Sequence, residues 1–535
     1  MRVSALKIWR GRRFWRVAVA AFLVLLALML VACQDSAQVQ APGEGSPWTE
    51  ILAYNLSRQE PPPAGAAGPG LTWYQVFVYS FYDSDGDGIG DLNGVRLGLD
   101  YIHSMGFDGI WLSPIHPSCT YHKYNVRDYF AIDPEYGTME DFDALIEAAD
   151  ALGIKVILDL VINHTDLDHP WFTERPDFYN IADERGHGNW EQLPDGRWYE
   201  CQFWGRMPDL DLENPELRAE LEKVFEFWLG RGVHGFRLDA VKDYCGNVGN
   251  NIEILTWINE AVKRINPDAY LVGEVWETTS ALYVYYASGI DSFFSFPFAG
   301  SNGIIARLML GQGGTLDGFL LQTALALESA REHNPDATNA PFFTNHDMAR
   351  AAGFLRRDAN LIKTAWGLSL TQPGDAFVYY GEELGMSGSG RDENFRAPMF
   401  WTDEAGALGM TAGPPEMGDI SHSFPPAVQQ VGDPDSIYSY IRDAVRLRRA
   451  YPHIGRGTFE VMDVGGGAVA GAVLRAWQGS EIVVAYNISD EPVTLTLPGT
   501  LQDYLSATGE QPGQDGDAVT LPGFTIVVMG LPLTN

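Results

Sequence analysis

Two acidic residues lie in short apolar runs, in a pattern that suits acid–base chemistry on a sugar bond. Asp239 lies in the run VHGFRLDA (233–240), and Glu274 lies in the run YLVGEVW (270–276). Two carboxyl groups that flank one bond are the minimum for glycoside hydrolysis, because one attacks or activates water and the other protonates the leaving oxygen. Arg237 precedes Asp239 by two residues on the same strand face, and its charge would keep that aspartate ionised. Glu274 has apolar neighbours, which tend to raise the pKa of a carboxyl group.

Polar side chains that could grip a sugar accompany two further apolar runs. Asn163 and His164 follow the run IKVILDLVI, while His346 and Asp347 end the run PFFTNHD. Any one of these groups could serve only a salt bridge or a loop cap. Charged groups are rarely buried without partners, however, so four runs that end in such groups favour a shared site. The two histidines could donate hydrogen bonds to sugar hydroxyls, and Asp347 would be a third carboxylate at the ring.

The elements that must position these residues follow from hydrophobic periodicity. From about residue 71, short apolar runs alternate with amphipathic stretches, and near-continuous apolar runs are typical of strands buried on both faces of a parallel sheet. The eight runs occupy residues 73–81, 109–115, 154–162, 233–240, 270–276, 291–298, 341–347 and 375–383. Helical stretches include residues 142–153, 218–232, 252–265 and 436–452. This order predicts an α/β fold, a (β/α)8 barrel, with a doubly wound open sheet as the alternative.

The chain divides into regions of different character. The barrel is expected to occupy residues 71–165 and 208–455, with catalytic residues at the carboxyl ends of its strands. Residues 166–207 are polar and aromatic with few helical signals, which predicts a small lobe inserted after the third strand. Residues 456–535 alternate apolar and polar side chains between Gly, Pro and Asp, which predicts a C-terminal antiparallel β-domain.

At this point the sequence resembles a known family. The segments DLVINH, GFRLDAVK, GEVW and TNHD, in this order, resemble the conserved regions of the α-amylase family of glycoside hydrolases, and GIWLSPI, MPDLD and VYYGEE resemble its auxiliary regions. The resemblance covers roughly residues 71–535. It implies a catalytic barrel with an inserted B domain, a C-terminal β-domain and a retaining double-displacement mechanism. It also implies that Asp239 is the nucleophile, Glu274 the general acid/base and Asp347 the stabiliser of the transition state.

The resemblance also bears on the substrate, which we expect to be an α-glucan or malto-oligosaccharide. The segment Tyr121–Tyr124 (YHKY) resembles the YHGY of endo-acting α-amylases, with Lys123 in place of the glycine, whereas exo-acting relatives usually carry aspartate where Tyr121 stands. Ala240 resembles the small residue of relatives that cleave α-1,4 links. Asp243 replaces a histidine that usually follows Lys242 in the family. The expected substrate-binding residues are Tyr121, Tyr124, Asn163, His164, Arg237, Lys242 and His346.

Several functions remain open within this resemblance. The leading prediction is hydrolysis of α-1,4-glucosidic bonds inside the chain. One alternative is an exo-acting α-glucosidase or oligo-1,6-glucosidase, which would differ in the shape of the substrate groove. Another is a transglycosylase, which would differ in the acceptor of the glucosyl unit. All of these enzymes share the covalent intermediate. A non-catalytic binding homologue is a more remote alternative, since Asp239, Glu274 and Asp347 are all present.

An aspartate-rich segment predicts a calcium site. The segment DSDGDGIGD (83–91) places oxygen ligands at the first, third, fifth and ninth positions with glycine at the sixth, which is calcium-loop spacing. The twelfth position is Gly94 and carries no acid, so a true EF-hand is not expected. The family has a similar loop after its first strand. The expected ligands of Ca²⁺ are Asp83, Asp85, Asp87, Asp91 and the carbonyl of Ile89.

The N-terminus predicts export. Basic residues precede an apolar run (17–31), and the segment LVAC that ends at Cys33 resembles a bacterial lipobox, so residues 1–33 are expected to be a lipoprotein signal peptide with Cys33 lipidated. A transmembrane anchor is the alternative. Residues 34–70 are rich in Gln, Ala, Gly and Pro and are expected to form a flexible tether to the membrane. The protein is therefore expected on the extracytoplasmic side, as a membrane-anchored lipoprotein.

Composition narrows the range of partners. The formal net charge is −34, a balance that repels phosphate backbones and makes nucleic acid an unsuitable partner, while a neutral sugar is not repelled. Cys119, Cys201 and Cys245 remain after Cys33, and an exported protein could pair two of them and leave one thiol free. We expect a monomer.

Overall fold

The computed structural model describes residues 47–64, 70–404 and 406–532. The description concerns the compact unit that begins at Trp48. The predicted signal peptide, Cys33 and residues 34–46 of the predicted tether lie outside the described residues. Within the described part of the chain, no helix is both long enough and apolar enough to cross a membrane.

Eight parallel strands form the centre of the molecule. In chain order they are Thr72–Val76, Gly109–Leu112, Lys155–Leu160, Gly235–Leu238, Tyr270–Gly273, Ser292–Phe294, Thr338–Ala340 and Ala376–Tyr379. Each strand pairs with the next along the chain from the first to the seventh, and the first also pairs with the eighth. An isolated parallel bridge between Phe342 and Phe377 joins the seventh strand's exit to the eighth. The strands therefore curl into a nearly closed barrel, which confirms the predicted fold class.

The barrel is filled rather than hollow. A cluster of buried apolar side chains occupies its interior, and this cluster includes Trp73, Trp111, Ile157, Val272, Phe294 and Phe377. The outer strand faces pack against helices in a second, larger cluster. Because both faces are buried, the strands read as continuous apolar runs, which is the signal that predicted them.

The α-helices lie before, between and after these strands. Their bounds are Pro47–Ser57, Leu92–Leu97, Leu99–Met105, Met139–Ala151, Pro170–Glu174, Pro215–Leu229, Val248–Ile265, Ile304–Met309, Leu316–His333, Ala351–Phe354, Ala359–Leu370, Asp392–Phe395, Ala427–Gln430, Ile437–Ala450 and Pro452–Arg456. Three of the predicted helices begin three or four residues earlier than their apolar periodicity indicated. They start directly after the capping side chains of Thr138, Asn214 and Asn247, which accept hydrogen bonds from backbone N–H groups of the first turn.

The seventh strand differs from its prediction. The apolar run PFFTNHD (341–347) predicted a strand, but the strand is Thr338–Ala340, just before it. Pro341 has no N–H group and cannot donate to a sheet ladder, so the regular pairing ends there. The polar residues of the run consequently lie on a loop beyond the strand.

Two smaller β-structures accompany the barrel. The lobe inserted after the third strand holds a three-stranded antiparallel sheet of Ile181–Ala182, Trp190–Gln192 and Trp198–Glu200. The C-terminal region holds a five-stranded antiparallel sheet (Glu460–Met462, Ala470–Trp477, Ser480–Asn487, Thr525–Gly530, Thr500–Ser506) and a three-stranded one (Val493–Thr496, Ala518–Leu521, Gly513–Asp515). Apolar side chains pack between these two sheets. Cys119, Cys201 and Cys245 are all free thiols, so the disulfide left open by the sequence does not form.

The helix Pro47–Ser57 corrects part of the predicted tether. The sequence predicted flexible chain over residues 34–70, yet this segment is helical and packs on the barrel. Trp48 is buried, its indole Nε1 donates to the carbonyl of Leu408 at 3.0 Å, and its ring stacks on Trp401 with centroids 6.0 Å apart. The helix was not predicted because its two buried side chains, Trp48 and Leu52, lie in a segment whose average composition resembles that of a linker.

Candidate active site

Adjacent barrel strands bring two carboxyl groups to the same level. Leu238 and Gly273 are register partners, so the next residue of each strand, Asp239 and Glu274, emerge side by side at the carboxyl end of the barrel. The N–H of Glu274 donates to the carbonyl of Leu238 at 2.9 Å, which extends the ladder by one residue. The strand register therefore positions both groups before any side-chain contact is made.

One guanidinium joins these carboxyl groups. Arg237 is almost fully buried, and its Nη1 binds Asp159 Oδ1 at 2.8 Å as well as Asp239 Oδ1. Its Nη2 lies 2.7 Å from Glu274 Oε1. One guanidinium that binds both carboxyl groups keeps Asp239 and Glu274 close together, as the paired carboxyl groups of a retaining glycosidase must be. Arg237 was expected to act on Asp239, and the structure adds Glu274 and Asp159 to its partners.

Burial sets the protonation of the site. Burial raises the pKa of Glu274 to about 8, against the opposing charge of Arg237. Burial also raises the pKa of Asp239, and Arg237 opposes that shift as well. For Asp347, burial acts in the same upward direction but His346, Arg396 and Arg237 outweigh it, so its pKa is lowered. With a pKa of about 8, Glu274 holds a proton at neutral pH.

The backbone after Asp239 adopts an unusual conformation. Ala240 has φ 47° and ψ 35°, in the left-handed region that costs energy for a residue with a Cβ. In this conformation its N–H donates to Glu274 Oε2 at 3.0 Å. The turn thus fixes the second oxygen of Glu274, while Arg237 holds the first.

A second arginine holds Asp347 in place. Arg396 Nη2 lies 2.7 Å from Asp347 Oδ1, and its Nη1 donates to the hydroxyl of Tyr121 at 2.8 Å. The same side chain donates from Nε to the carbonyl of His346 at 3.0 Å. Arg396 was missed by the sequence analysis, because it lies on an irregular loop after the eighth strand. The only signal was a single basic residue within the apolar stretch FRAPMF (395–400).

The predicted sugar-binding residues separate into two groups. Tyr124 and His164 line the cavity around Asp239, and the Tyr124 hydroxyl donates to Asp159 Oδ2 at 3.0 Å. His346 is buried behind Tyr124, with parallel rings 5.6 Å apart and its Nε2 only 2.6 Å from the Tyr124 hydroxyl. His346 therefore supports the wall of the site from behind.

Lys242 and Asn163 lie further from the catalytic pair. Lys242 is exposed at the cavity rim, where its Nζ donates to the carbonyl of Trp276 at 3.2 Å. Asn163 is buried, and its amide donates to Asp209 Oδ1 at 3.3 Å. The structure thus places Asn163 under the inserted lobe, and not among the side chains that line the cavity.

The loop that carries Tyr121 and Tyr124 is anchored by a buried lysine. Lys123 has φ 63°, a left-handed conformation that suits the glycine found here in similar sequences. Its ammonium group lies 2.9 Å from Asp133 Oδ2 and also pairs with Glu135, while the side chain is only 2% exposed. These ion pairs offset the backbone strain and fix the loop against the barrel rim.

Two adjoining cavities define the groove. The catalytic cavity, of about 390 Å³, is lined by Tyr124, His164, Phe203, Asp239, Glu274, Asp347 and Asp392, among others. A second cavity of about 310 Å³, the Tyr121 cavity, is lined by Tyr121, His122, Tyr124, Asp392, Glu393 and Arg396. Tyr124 and Asp392 border both, so the two spaces adjoin each other. Nothing in the sequence marked Phe203, Asp392 or Glu393 as site residues, and His122 was noted only as part of the segment Tyr121–Tyr124.

The aspartate-rich loop forms a separate cluster. Ligand oxygens of Asp83, Asp85 and Asp91 lie within 4.8 Å of one another, whereas Asp87 is not part of this group. Asp87 Oδ1 instead accepts the N–H of Ile89 at 2.7 Å. Three converging carboxylates are the oxygen ligands that Ca²⁺ prefers, so the residues fit this ion.

Comparison with known proteins agrees with this geometry. The family model described as "Alpha amylase, catalytic domain" matches residues 75–457. The chain belongs to the α-amylase family. Alpha-amylase 3 of Dictyoglomus thermophilum is 36% identical over 429 residues, which cover 78% of this chain and 84% of that protein.

Solved structures of this family resemble the chain along most of its length. Eubacterium rectale Amy13B has 36% sequence identity and a TM-score of 0.85, with 92% of this chain and 100% of that chain covered. The α-amylase from H. orenii has 34% identity and a TM-score of 0.78, with 86% of this chain and 99% of that chain covered.

The first prediction concerns Asp239. Asp239→Asn should lower kcat on maltodextrins by at least about 10³-fold, because it removes the attacking charge with little change in volume. Reducing-end assays measure the loss, and circular dichroism should show an unchanged fold. Asp143→Asn, which alters an exposed carboxylate on a barrel helix, should leave kcat unchanged. A variant at Asp239 that kept a tenth of the activity would contradict the assignment.

The second prediction concerns pH. Since Glu274 must donate a proton and burial raises its pKa to about 8, kcat/KM should fall as the pH rises through about 8. Glu274→Gln should slow maltodextrin hydrolysis by about 10²–10⁴-fold but slow α-glucosyl fluoride far less, since fluoride leaves without a proton. Glu277→Gln, on the adjacent exposed loop, should keep the wild-type profile. An alkaline limb that survived in Glu274→Gln would rule this residue out as its source.

Proposed function

We propose that the protein hydrolyses α-1,4-glucosidic bonds of starch, glycogen or maltodextrins with retention of anomeric configuration. The observation that carries this proposal is the buried guanidinium of Arg237, which holds Asp239 and Glu274 side by side at the catalytic cavity. Asp239 attacks the anomeric carbon while Glu274 gives its proton to the leaving oxygen, and water activated by Glu274 then releases the glucosyl unit. The similarity to proteins named as α-amylases supports an α-glucan as the substrate.

We propose that cleavage occurs inside the chain. The catalytic cavity adjoins the Tyr121 cavity at Tyr124 and Asp392, and together they would give a glucan room to extend beyond the attacked glucose. Tyr121 offers an aromatic face there, and such faces suit a running chain because every glucose presents an apolar surface. Arg396 binds the Tyr121 hydroxyl, so the ring is held in one orientation.

We further propose that Ca²⁺ binds the loop after the first strand. Asp83, Asp85 and Asp91 would hold the ion, with the Ile89 carbonyl and Asp87 completing the shell if their loop closes around it. Asp91 also caps the helix Leu92–Leu97 and accepts hydrogen bonds from Ser84. The ion would therefore brace a loop and a helix start, which is a structural role.

We also propose that the mature protein begins at Cys33 and is anchored to the outer side of the cytoplasmic membrane by lipid on that residue. The support is the sequence alone: a basic segment, an apolar run and the tetrapeptide LVAC. Neutral α-glucans outside the cell would then be the substrate that the enzyme meets.

The mode of cleavage can be tested on starch. Internal attack should reduce the iodine stain early, while maltodextrins of mixed length appear on chromatography. Proton NMR of the first products should show the α-anomer, since two displacements retain configuration. Glucose as the sole early product, with slow loss of stain, would instead identify an exo-acting α-glucosidase.

Chelation tests the calcium proposal. Excess chelator should lower Tm by about 5 °C or more, since an ion that binds only the folded state stabilises it, and added Ca²⁺ should restore the original value. Asp85→Asn should lower Tm in calcium and abolish the response to chelator, while Asp100→Asn, on the next helix, should behave as wild type. The response of Asp87→Asn shows whether that residue joins the shell. An unchanged Tm in chelator would count against the ion.

The anchor can be tested by mass spectrometry and fractionation. Wild-type protein should be recovered with membranes and should begin at a lipid-modified Cys33. Cys33→Ser should accumulate as unprocessed precursor or be released in soluble form. Recovery of the wild type from cytosol with Met1 in place would refute this localisation.

A further inference from the structure

The helix Pro47–Ser57 docks on the barrel beside the aspartate-rich loop, residues 83–91. Trp48 is its principal contact, and this side chain is only 3% exposed. The indole lies 6.0 Å from the ring of Trp401, in a stacked arrangement, and 6.0 Å from the ring of Tyr82, in a tilted one. Tyr82 directly precedes the first aspartate of the loop, so the helix packs against the residue from which the loop begins.

A backbone segment, residues 407–412, connects the helix to the loop by hydrogen bonds. The indole Nε1 of Trp48 donates to the carbonyl of Leu408 at 3.0 Å. The next residue, Gly409, accepts the N–H of Asp83 at 3.1 Å, and the two residues form an antiparallel bridge. The indole of the helix and the first carboxylate residue of the loop are therefore bound to adjacent peptide groups.

The segment and the loop are also packed closely. Gly409 has φ 91°, and a Cβ at this position would come within 2.7 Å of the Tyr82 ring. At the other end of the segment, the N–H of Ala412 donates to the carbonyl of Gly88 at 2.7 Å. The segment thus holds the loop at two points. Because close-packed groups transmit strain, a displacement of the segment should displace the loop with it.

The backbone at the start of the loop determines where the carboxylates stand. Asp83 Oδ1 accepts the N–H of Gly86 at 2.6 Å, and its Oδ2 accepts the N–H of Gly88 at 2.8 Å. The N–H of Asp91 donates to the carbonyl of Tyr82 at 3.1 Å. Ca²⁺ requires its oxygen ligands at about 2.3–2.6 Å, so a shift of this backbone would weaken the coordination.

The carboxylate cluster needs support from outside the loop. Ligand oxygens of Asp83, Asp85 and Asp91 lie within 4.8 Å of one another, where like charges repel. Contacts that keep the loop in this shape before the ion arrives reduce the ordering that remains on binding. The helix and the segment 407–412 supply such contacts.

We propose that the helix Pro47–Ser57 orders the aspartate-rich loop through Trp48 and the segment 407–412, and thereby raises the affinity of the loop for Ca²⁺. This inference rests on the proposed calcium site and adds the element that holds the site in shape. The effect is reciprocal, since any free energy that helix docking adds to calcium binding is also added by bound Ca²⁺ to helix docking.

Calorimetry of the chelator-stripped full-length protein tests the effect on affinity. Trp48→Ala should raise the Kd for Ca²⁺ by about tenfold, at a temperature well below Tm, because it removes both the ring contacts and the hydrogen bond to Leu408. Trp48→Phe keeps an aromatic ring but loses the hydrogen bond, so its Kd should rise by about threefold.

Two substitutions on the same helix are matched controls. Tyr54 is 60% exposed, and Asn55 donates to the carbonyl of Val428, which lies outside the segment 407–412. Tyr54→Ala and Asn55→Ala should each leave the Kd for Ca²⁺ within about twofold of the wild-type value. They show whether the effect belongs to Trp48 or to any change in the helix.

Hydrogen exchange followed by mass spectrometry measures the order of the loop without the ion. In calcium-free protein, Trp48→Ala should speed exchange in a peptide covering residues 82–92 by about tenfold, while the strand Lys155–Leu160 keeps its wild-type rate. If wild type binds no Ca²⁺, the calcium proposal fails and loop exchange alone decides the inference. If Trp48→Ala does not fold, Trp48→Phe takes its place. Unchanged loop exchange, or an unchanged Kd where wild type binds Ca²⁺, would overturn the inference.

Discussion

The site depends on one buried cation. Arg237 lies among three carboxyl groups, Asp159, Asp239 and Glu274, and is almost fully shielded from water. One positive charge cannot balance three negative charges in a medium of low polarity, so one of the three carboxyl groups is expected to keep a proton, and burial raises the pKa of Glu274 to about 8. The division between nucleophile and acid thus follows from burial and charge count. Strand register supplies the geometry, since Asp159 and Arg237 are direct partners in the sheet.

Buried ion pairs also hold the loops around this centre. Lys123 fixes the loop of Tyr121 through Asp133, and Arg396 fixes Asp347 from a loop of distant sequence. Loops at the mouth of a barrel have few backbone partners, so side-chain pairs must set their conformation. Each pair is costly to break singly, because the remaining charge would stay buried alone. The site is therefore ordered before substrate arrives, which lowers the cost of binding.

The sequence predicted most of the features that depend on local patterns of apolar and polar residues. Apolar runs marked the barrel strands because both faces are buried, and the polar residues that end them marked the catalytic rim. Pro341 shifted the seventh strand against its apolar run, since a missing N–H matters more to a ladder than hydrophobicity does. The role of Arg396 could not be predicted, because it depends on contacts with Asp347 and Tyr121, which are far away in the sequence. The docked helix Pro47–Ser57 was not recognised because, among its described side chains, only Trp48 and Leu52 are fully buried.

The acidic lining of the groove also determines which small molecules the enzyme should hold or reject. The catalytic cavity is bordered by Asp239, Asp243, Glu274, Asp347 and Asp392, and among its described lining residues Lys242 is the only lysine or arginine. Such a field stabilises the positive charge that develops on the sugar during cleavage. A cyclic amine shaped like glucose carries that charge permanently, so it should bind far more tightly than glucose itself. Phosphorylated sugars and uronic acids carry the opposite charge, and the same field keeps them out.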